Sequence, residues 1–176
     1  MTPKQKKGGI VFLVAIMLVW LLIALFPIGG ETQVYNSDPA STSQTYIPKF
    51  VDEGDLMFYN EADSLLVQID LEIADNESDI GYGLMYRKEM DELKGMIFIM
   101  PVDEVQSFWM KNTFIPLDIL FLDSENKIVD ISKDNQALDE SPIKSKEPAL
   151  LILELNAGFA DKYGIKVGQR IEYIRN

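Results

Sequence analysis

Leu65-Leu66-Val67-Gln68-Ile69-Asp70-Leu71-Glu72-Ile73 is the stretch whose reading decides the fold class. In an extended chain Val67, Ile69, Leu71 and Ile73 point to one side, and Gln68, Asp70 and Glu72 to the other. A helix would scatter these apolar residues around its circumference, so the period of two predicts a strand with one buried and one wet face. Working outward, similar short runs predict strands over 95–100, 106–110, 117–122, 127–132, 149–155 and 170–174. Asp123-Ser124-Glu125-Asn126 supplies turn residues between two of them and predicts a hairpin. Helix is scarce. Residues 79–87 allow a short helical turn, and 156–163 read as a short helix capped by Asn156 and stopped by Gly164. The expected fold is mainly β: a largely antiparallel sandwich or barrel-like domain with two short helices, over residues 50–176.

The chain before this domain has a different character. Lys4, Lys6 and Lys7 precede an uncharged apolar run from Ile10 to Phe26, which Pro27, Gly29 and Gly30 then stop. At 1.5 Å per residue that run makes a helix of roughly 26 Å, close to the thickness of a bilayer core. Positive charge before it, and none nearby after it, orients the amino terminus towards the cytoplasm. Residues 1–9 then read as a cytoplasmic N-terminus, 10–28 as a transmembrane helix or signal anchor, and 31–49 as a flexible polar stalk. The alternative for 10–28 is a cleaved signal peptide, which would leave a secreted or periplasmic protein. The length of the run and the lack of an Ala-x-Ala cleavage pattern favour the anchor, and with it a single pass through a bacterial cytoplasmic membrane.

Composition removes much chemistry. Among 176 residues there is no histidine and no cysteine. Histidine- and cysteine-based nucleophilic catalysis, ordinary zinc and copper sites, a haem histidine ligand and disulfides are therefore excluded. The net charge is −12, with 28 acidic and 16 basic residues; three of the basic ones precede the apolar run, so the exported part is more acidic still. Nucleic acid is not an expected partner, because phosphate binding needs clustered Lys and Arg. The expected partners are the membrane, through the N-terminal helix, and a small molecule or an envelope protein. No cofactor and no metal is expected. The carboxylates lack the calcium-loop pattern, and Met85, Met90, Met96, Met100 and Met110, a conceivable copper(I) set, sit among Leu, Ile and Phe as core fillers.

The densest segment is Gln106-Ser107-Phe108-Trp109-Met110-Lys111-Asn112-Thr113. It gathers an ammonium, an amide and a hydroxyl at a strand end, where binding groups are commonly held. Asp118 lies in an otherwise apolar strand and must be paired, hydrogen-bonded or protonated. The candidate ligand-binding set is Arg87, Trp109, Met110, Lys111, Asn112, Thr113 and Asp118, with Arg87, Lys111, Asn112 and Asp118 in one polar pocket ringed by Met85, Trp109 and Met110, for an anionic or sugar-like ligand. In the competing structural reading Trp109 and Met110 are core, and Asp118 caps a turn or pairs with Arg87 or Lys111. Three functions follow: a binding domain; an envelope hydrolase or lyase using Asp118 and Lys111 with Arg87 as anion clamp; or a structural protein-interaction module. The absence of histidine tilts the choice towards binding.

Gly83-Leu84-Met85-Tyr86-Arg87, Gly95-Met96-Ile97-Phe98, Phe108 to Thr113, Ile115-Pro116-Leu117-Asp118, and Leu153 to Gly158 with Gly164 to Gly168, taken together, resemble the domain-of-unknown-function 192 family over roughly residues 65–173. The resemblance implies a mainly β domain, often exported, with no established activity. Many relatives carry a Cys or a Pro-Cys pair in the loop after the hairpin, whereas residues 134–146 here have none, so any bracing by a disulfide is absent; the loop is long and polar, and a mobile loop is expected. Residues 160–171 are locally similar to the glycine-dependent turn of PDZ domains, without the Gly-rich carboxylate-binding loop that precedes it there.

Overall fold

The structure is a computed structural model that describes residues 48–176. The expected cytoplasmic N-terminus, the membrane helix and almost all of the stalk lie outside the described residues. No described helix is long and apolar enough to cross a membrane.

Among the described residues nine strands and two short helices follow one another: β1 (Gly54–Tyr59), β2 (Leu65–Ala74), α1 (Glu77–Tyr82), β3 (Lys94–Glu104), β4 (Ser107–Phe108), β5 (Leu117–Leu122), β6 (Ile128–Asn135), β7 (Ile143–Lys144), β8 (Ala149–Asn156), α2 (Phe159–Lys162) and β9 (Arg170–Arg175). Seven strands form one sheet in the order β6-β5-β8-β3-β2-β1-β9, and β4 and β7 pair separately. The expected hairpin is β5–β6, antiparallel, with Asn126 at φ 62° in its turn. The sheet's end strands also meet: Ile128 N donates to Gln169 O at 2.8 Å, and Ile171 N to Asn126 O at 3.0 Å. These bonds roll the sheet towards closure, which protects edges that would otherwise invite pairing with other chains.

The sheet is largely antiparallel, as expected, with one exception. β2 and β3 run parallel, with Glu72 opposite Met96 and Ile73 opposite Ile97. A parallel pair cannot be joined by a tight turn. The crossover is residues 75–93, which include α1 and the Gly83–Arg87 block.

Both faces of the sheet are covered, which explains why β5 is buried at all six positions. The inner face holds Leu56, Phe58, Ile69, Leu71, Ile97, Leu120, Leu153 and Leu155, together with Phe159 and Ala160 of α2. The outer face carries Ala74, Phe98, Ile119, Phe121 and Ile152 under Leu84, Met110 and Ile115 from the loops. The expected wet face of β2 is therefore wet only at its start; Glu72 is 4% exposed and Ala74 is fully buried.

Several boundaries move for local reasons. The first helix starts at Glu77, capped by Asn76, whose side chain accepts from Asp79 N at 3.0 Å, and ends at Gly83. There φ is 48°, and a Cβ would lie 3.0 Å from the Phe98 ring, so only glycine fits without strain. Asn156 is not a cap: it ends β8, its amide donates to Met90 O at 2.9 Å, and Gly158 at φ 84° begins α2. Of the strand expected over 106–110 only Ser107–Phe108 pairs, with β7. Met110 N turns away to donate to Asp139 O at 2.9 Å. That bond, with Leu138 N to Thr113 O at 3.0 Å and Ser145 N to Gln106 O at 3.0 Å, ties the 134–146 loop to the 106–113 segment without a disulfide. Asp130 holds the loop's far end, accepting from Lys146 N and from Lys146 Nζ at 2.6 Å. Burial pushes the Asp130 carboxyl up, but the Lys146 and Ile131 hydrogen bonds outweigh it and leave it below the usual range.

Candidate functional site

The pocket expected from the sequence does not assemble as one unit. Asp118 is fully buried in β5, with Oδ1 accepting from Asp134 N and Oδ2 from Ala160 N, both at 2.9 Å. It pairs with neither Arg87 nor Lys111; it fastens β6 and α2 to the inner sheet. Lys111 stands over the Trp109 ring, 4.8 Å from its centroid, and forms no ion pair among the described residues. Trp109 is exposed, whereas Met110 is a core residue with no exposure. Thr113 is buried, its hydroxyl donating to Lys111 O at 3.3 Å.

Asn112 has a different task. At φ 55° it forms a left-handed turn, and its carbonyl accepts from Tyr86 N at 2.8 Å while its Nδ2 donates to the Tyr86 hydroxyl at 2.9 Å. Tyr86 is itself left-handed, at φ 65°. The Trp-Met-Lys-Asn-Thr block therefore braces the Gly-Leu-Met-Tyr-Arg block, and the Phe114 ring, 6.3 Å away, supports Tyr86 edge-on. This bracing aims Arg87 inward.

Arg87 is 7% exposed and lies against Glu72 of β2, with Nη1 2.6 Å from Oε2. Glu72 Oε2 is held by this ion pair, and Arg87 Nε is buried without a hydrogen-bond partner. Glu72 Oε1 is occupied, accepting from Val51 N at 2.8 Å. The sheet register puts a second carboxyl on the same face: Met96 is opposite Glu72 on one side and Glu154 on the other. Glu154 is 5% exposed. Burial pushes its carboxyl up to about 8, opposed by the charge of Arg87, so it keeps its proton at neutral pH. Arg87, Glu72 and a protonated Glu154 together carry no net charge.

The Arg87–Glu72 pair lies at a groove of about 830 Å³ whose lining includes Glu72, Arg87, Met85 and Met96, with Lys49, Glu53, Asp79, Tyr82 and Tyr86 among the groups around them; Glu154 is not part of the lining. Such a volume is ordinary for a small-molecule site. Tyr82 is 64% exposed. Of the expected ligand-binding set only Arg87 lines the groove, with Met85 from its expected rim, and Asn112 supports it through Tyr86. Glu72 and Glu154 were missed. Glu154 could have been found by the argument applied to Asp118, since it is the lone acid in Leu151-Ile152-Leu153-Glu154-Leu155. Glu72 could not, because its place in an alternating strand reads as solvent-facing. A second hollow of about 330 Å³ near Arg170 is smaller, and that arginine is already paired with Asp63 and Glu172.

The family resemblance read from the sequence holds. The family model DUF192, described as an uncharacterised ACR, matches residues 58–173, and the chain belongs to this family. It is 29% identical to a UPF0127 protein of Pyrococcus furiosus over 114 residues, 62% of this chain and 90% of the other. A UPF0127 protein of Pyrococcus abyssi is likewise 29% identical, over 65% of this chain and 95% of its own. Among solved structures, a Novosphingobium aromaticivorans protein of unknown function is 32% identical with a TM-score of 0.63, covering 67% of this chain and 83% of that one. A Sinorhizobium meliloti protein, named provisionally as a transcription regulator, is 32% identical with a TM-score of 0.66, covering 71% and 98%.

Proposed function

We propose that this protein is a non-catalytic binding domain, carried outside the cytoplasm on an N-terminal membrane anchor, which takes a small organic ligand in the groove between α1, the Gly83–Arg87 block and β2–β3. The observation that carries this reading is the make-up of the groove: a buried Arg87–Glu72 ion pair in its lining, with Glu53 and Asp79 near it and exposed tyrosine rings beside it. The hydrolase or lyase reading loses its proposed pair, because both oxygens of Asp118 are committed to backbone N–H groups away from Lys111. The regulatory role named for the Sinorhizobium protein is not carried over, since 28 acidic against 16 basic residues offer little to nucleic acid.

The test is a ligand-observed NMR screen of the full chain against a mixed library of anions, cations, sugars, nucleosides and short peptides. It is repeated with Ser78→Trp, which fills the groove from an exposed position. The expected result is hits that disappear in the variant. A library without hits, or hits indifferent to Ser78→Trp, would overturn the proposal. For topology, protease added outside spheroplasts is expected to cut the stalk and release a fragment of about 125–145 residues. Complete protection would reverse the orientation.

A further inference from the structure

We infer that the ligand of this groove is an uncharged saccharide, its ring packed on Tyr82 and its hydroxyls bonded to the carboxylates beside it. The inference rests on the binding role just proposed and adds the ligand's chemical class.

Charge argues first. Arg87 is the cation an anionic ligand would seek, but Glu72 lies 2.6 Å from it and neutralises it. Lys49 is exposed and screened, and Glu53 and Asp79 stand nearby to repel an anion. The carboxylates a cation would seek are partly committed within the fold. Glu53 Oε2 accepts from Ile73 N at 2.8 Å, Asp79 Oδ2 accepts from the Asn76 amide at 2.6 Å, and Glu72 serves both Arg87 and Val51. Each carboxylate still has lone pairs to accept from hydroxyls, which are donors without net charge.

The aromatic groups argue second. Tyr82 and Tyr86 expose 64% and 42% of their surface beside the groove. Tyr86 does so while held by Asn112 and Phe114, so its ring is positioned before any ligand arrives. Flat apolar surfaces next to many hydrogen-bond acceptors complement a molecule with a C–H face and a hydroxylated edge. A purely apolar ligand would leave the polar lining unpaired, at a cost.

The experiment is saturation-transfer NMR on the full chain in a detergent without a sugar headgroup, saturating protein aromatic protons. The neutral probes are cellobiose, maltotriose and N,N′-diacetylchitobiose; glucuronate, glucosamine and adenosine are the controls. At least one neutral probe is expected to receive saturation at its ring protons and to bind with a dissociation constant below about 1 mM. Tyr82→Ala is expected to weaken it by about tenfold, the loss of one aromatic contact. Tyr82 is too exposed for its removal to unfold the domain, which an unchanged protein spectrum verifies. Silence of all three neutral probes, or binding indifferent to Tyr82→Ala, overturns the inference. Preference for glucuronate, glucosamine or adenosine, with dependence on Tyr82, also overturns it but leaves the binding groove in place.

Discussion

Glu154→Gln tests the electrostatics of the buried carboxyl near Arg87 most directly. The native carboxyl is 5% exposed and titrates near 8 in the folded protein, against 4.5 in an exposed chain. The fold therefore prefers the protonated form. Below about pH 4.5 both states hold the proton, and no stability is lost. Between about 4.5 and about 8 the unfolded state releases it while the folded state retains it. Stability then falls by about 1.4 kcal/mol for each pH unit, and above about 8 the loss levels off. Integrated over that window the loss reaches about 5 kcal/mol, and water entry or side-chain relaxation reduces it. Gln keeps the shape and abolishes the titration. The assay is urea unfolding of wild type and variant from pH 5 to pH 9. The difference between them should shift in favour of the variant by at least about 2 kcal/mol between pH 5 and pH 8. A carboxyl ¹³C titration of Glu154 should place its midpoint well above that of an ordinary glutamate. A difference that stays flat within about 0.5 kcal/mol, with a midpoint near 4.5, would refute the burial argument.

Removing Arg87 with Arg87→Met should cost about 3–5 kcal/mol in the same unfolding assay, since it strands a buried carboxylate. Adding Glu72→Met should restore most of that, and a double variant no better than the single one would show that the pair is not coupled. Asp118→Ala leaves the buried Ala160 N–H and the part-buried Asp134 N–H without their acceptor and should cost about 2–4 kcal/mol by chemical denaturation, while ligand affinity in the groove stays unchanged; lost affinity in a still-folded variant would return Asp118 to the site. Gly83→Ala forces a Cβ onto φ 48° and against Phe98, and should lower stability by about 1–3 kcal/mol, read as a lower thermal midpoint.

How much was legible depends on whether a signal is local. β5 occupies its predicted residues, because an apolar run bounded by turn residues is complete in itself. The β5–β6 hairpin was readable for the same reason, from Asp123 to Asn126. The parallel register of β2 and β3 was not, because nothing in either strand records which neighbour the crossover through 75–93 will reach. Asp118 and Glu154 carry the same signal, a lone acid in an apolar strand, and have opposite fates. One meets two backbone donors. The other is buried with the charge of Arg87 opposing its desolvation.

From the sequence alone came the β class, the family, the acidity and the exclusion of imidazole and thiol chemistry, all of which depend on residue identities and short-range periodicity. Only the tertiary structure decided that Lys111 and Asp118 stand apart and that Arg87 joins Glu72 and Glu154. Strands distant in the chain become neighbours through pairing across the sheet, and a strand's period tells which side a residue faces but not what will cover it. For that reason Glu72, written as a solvent-facing residue, ends beneath Arg87 beside the groove.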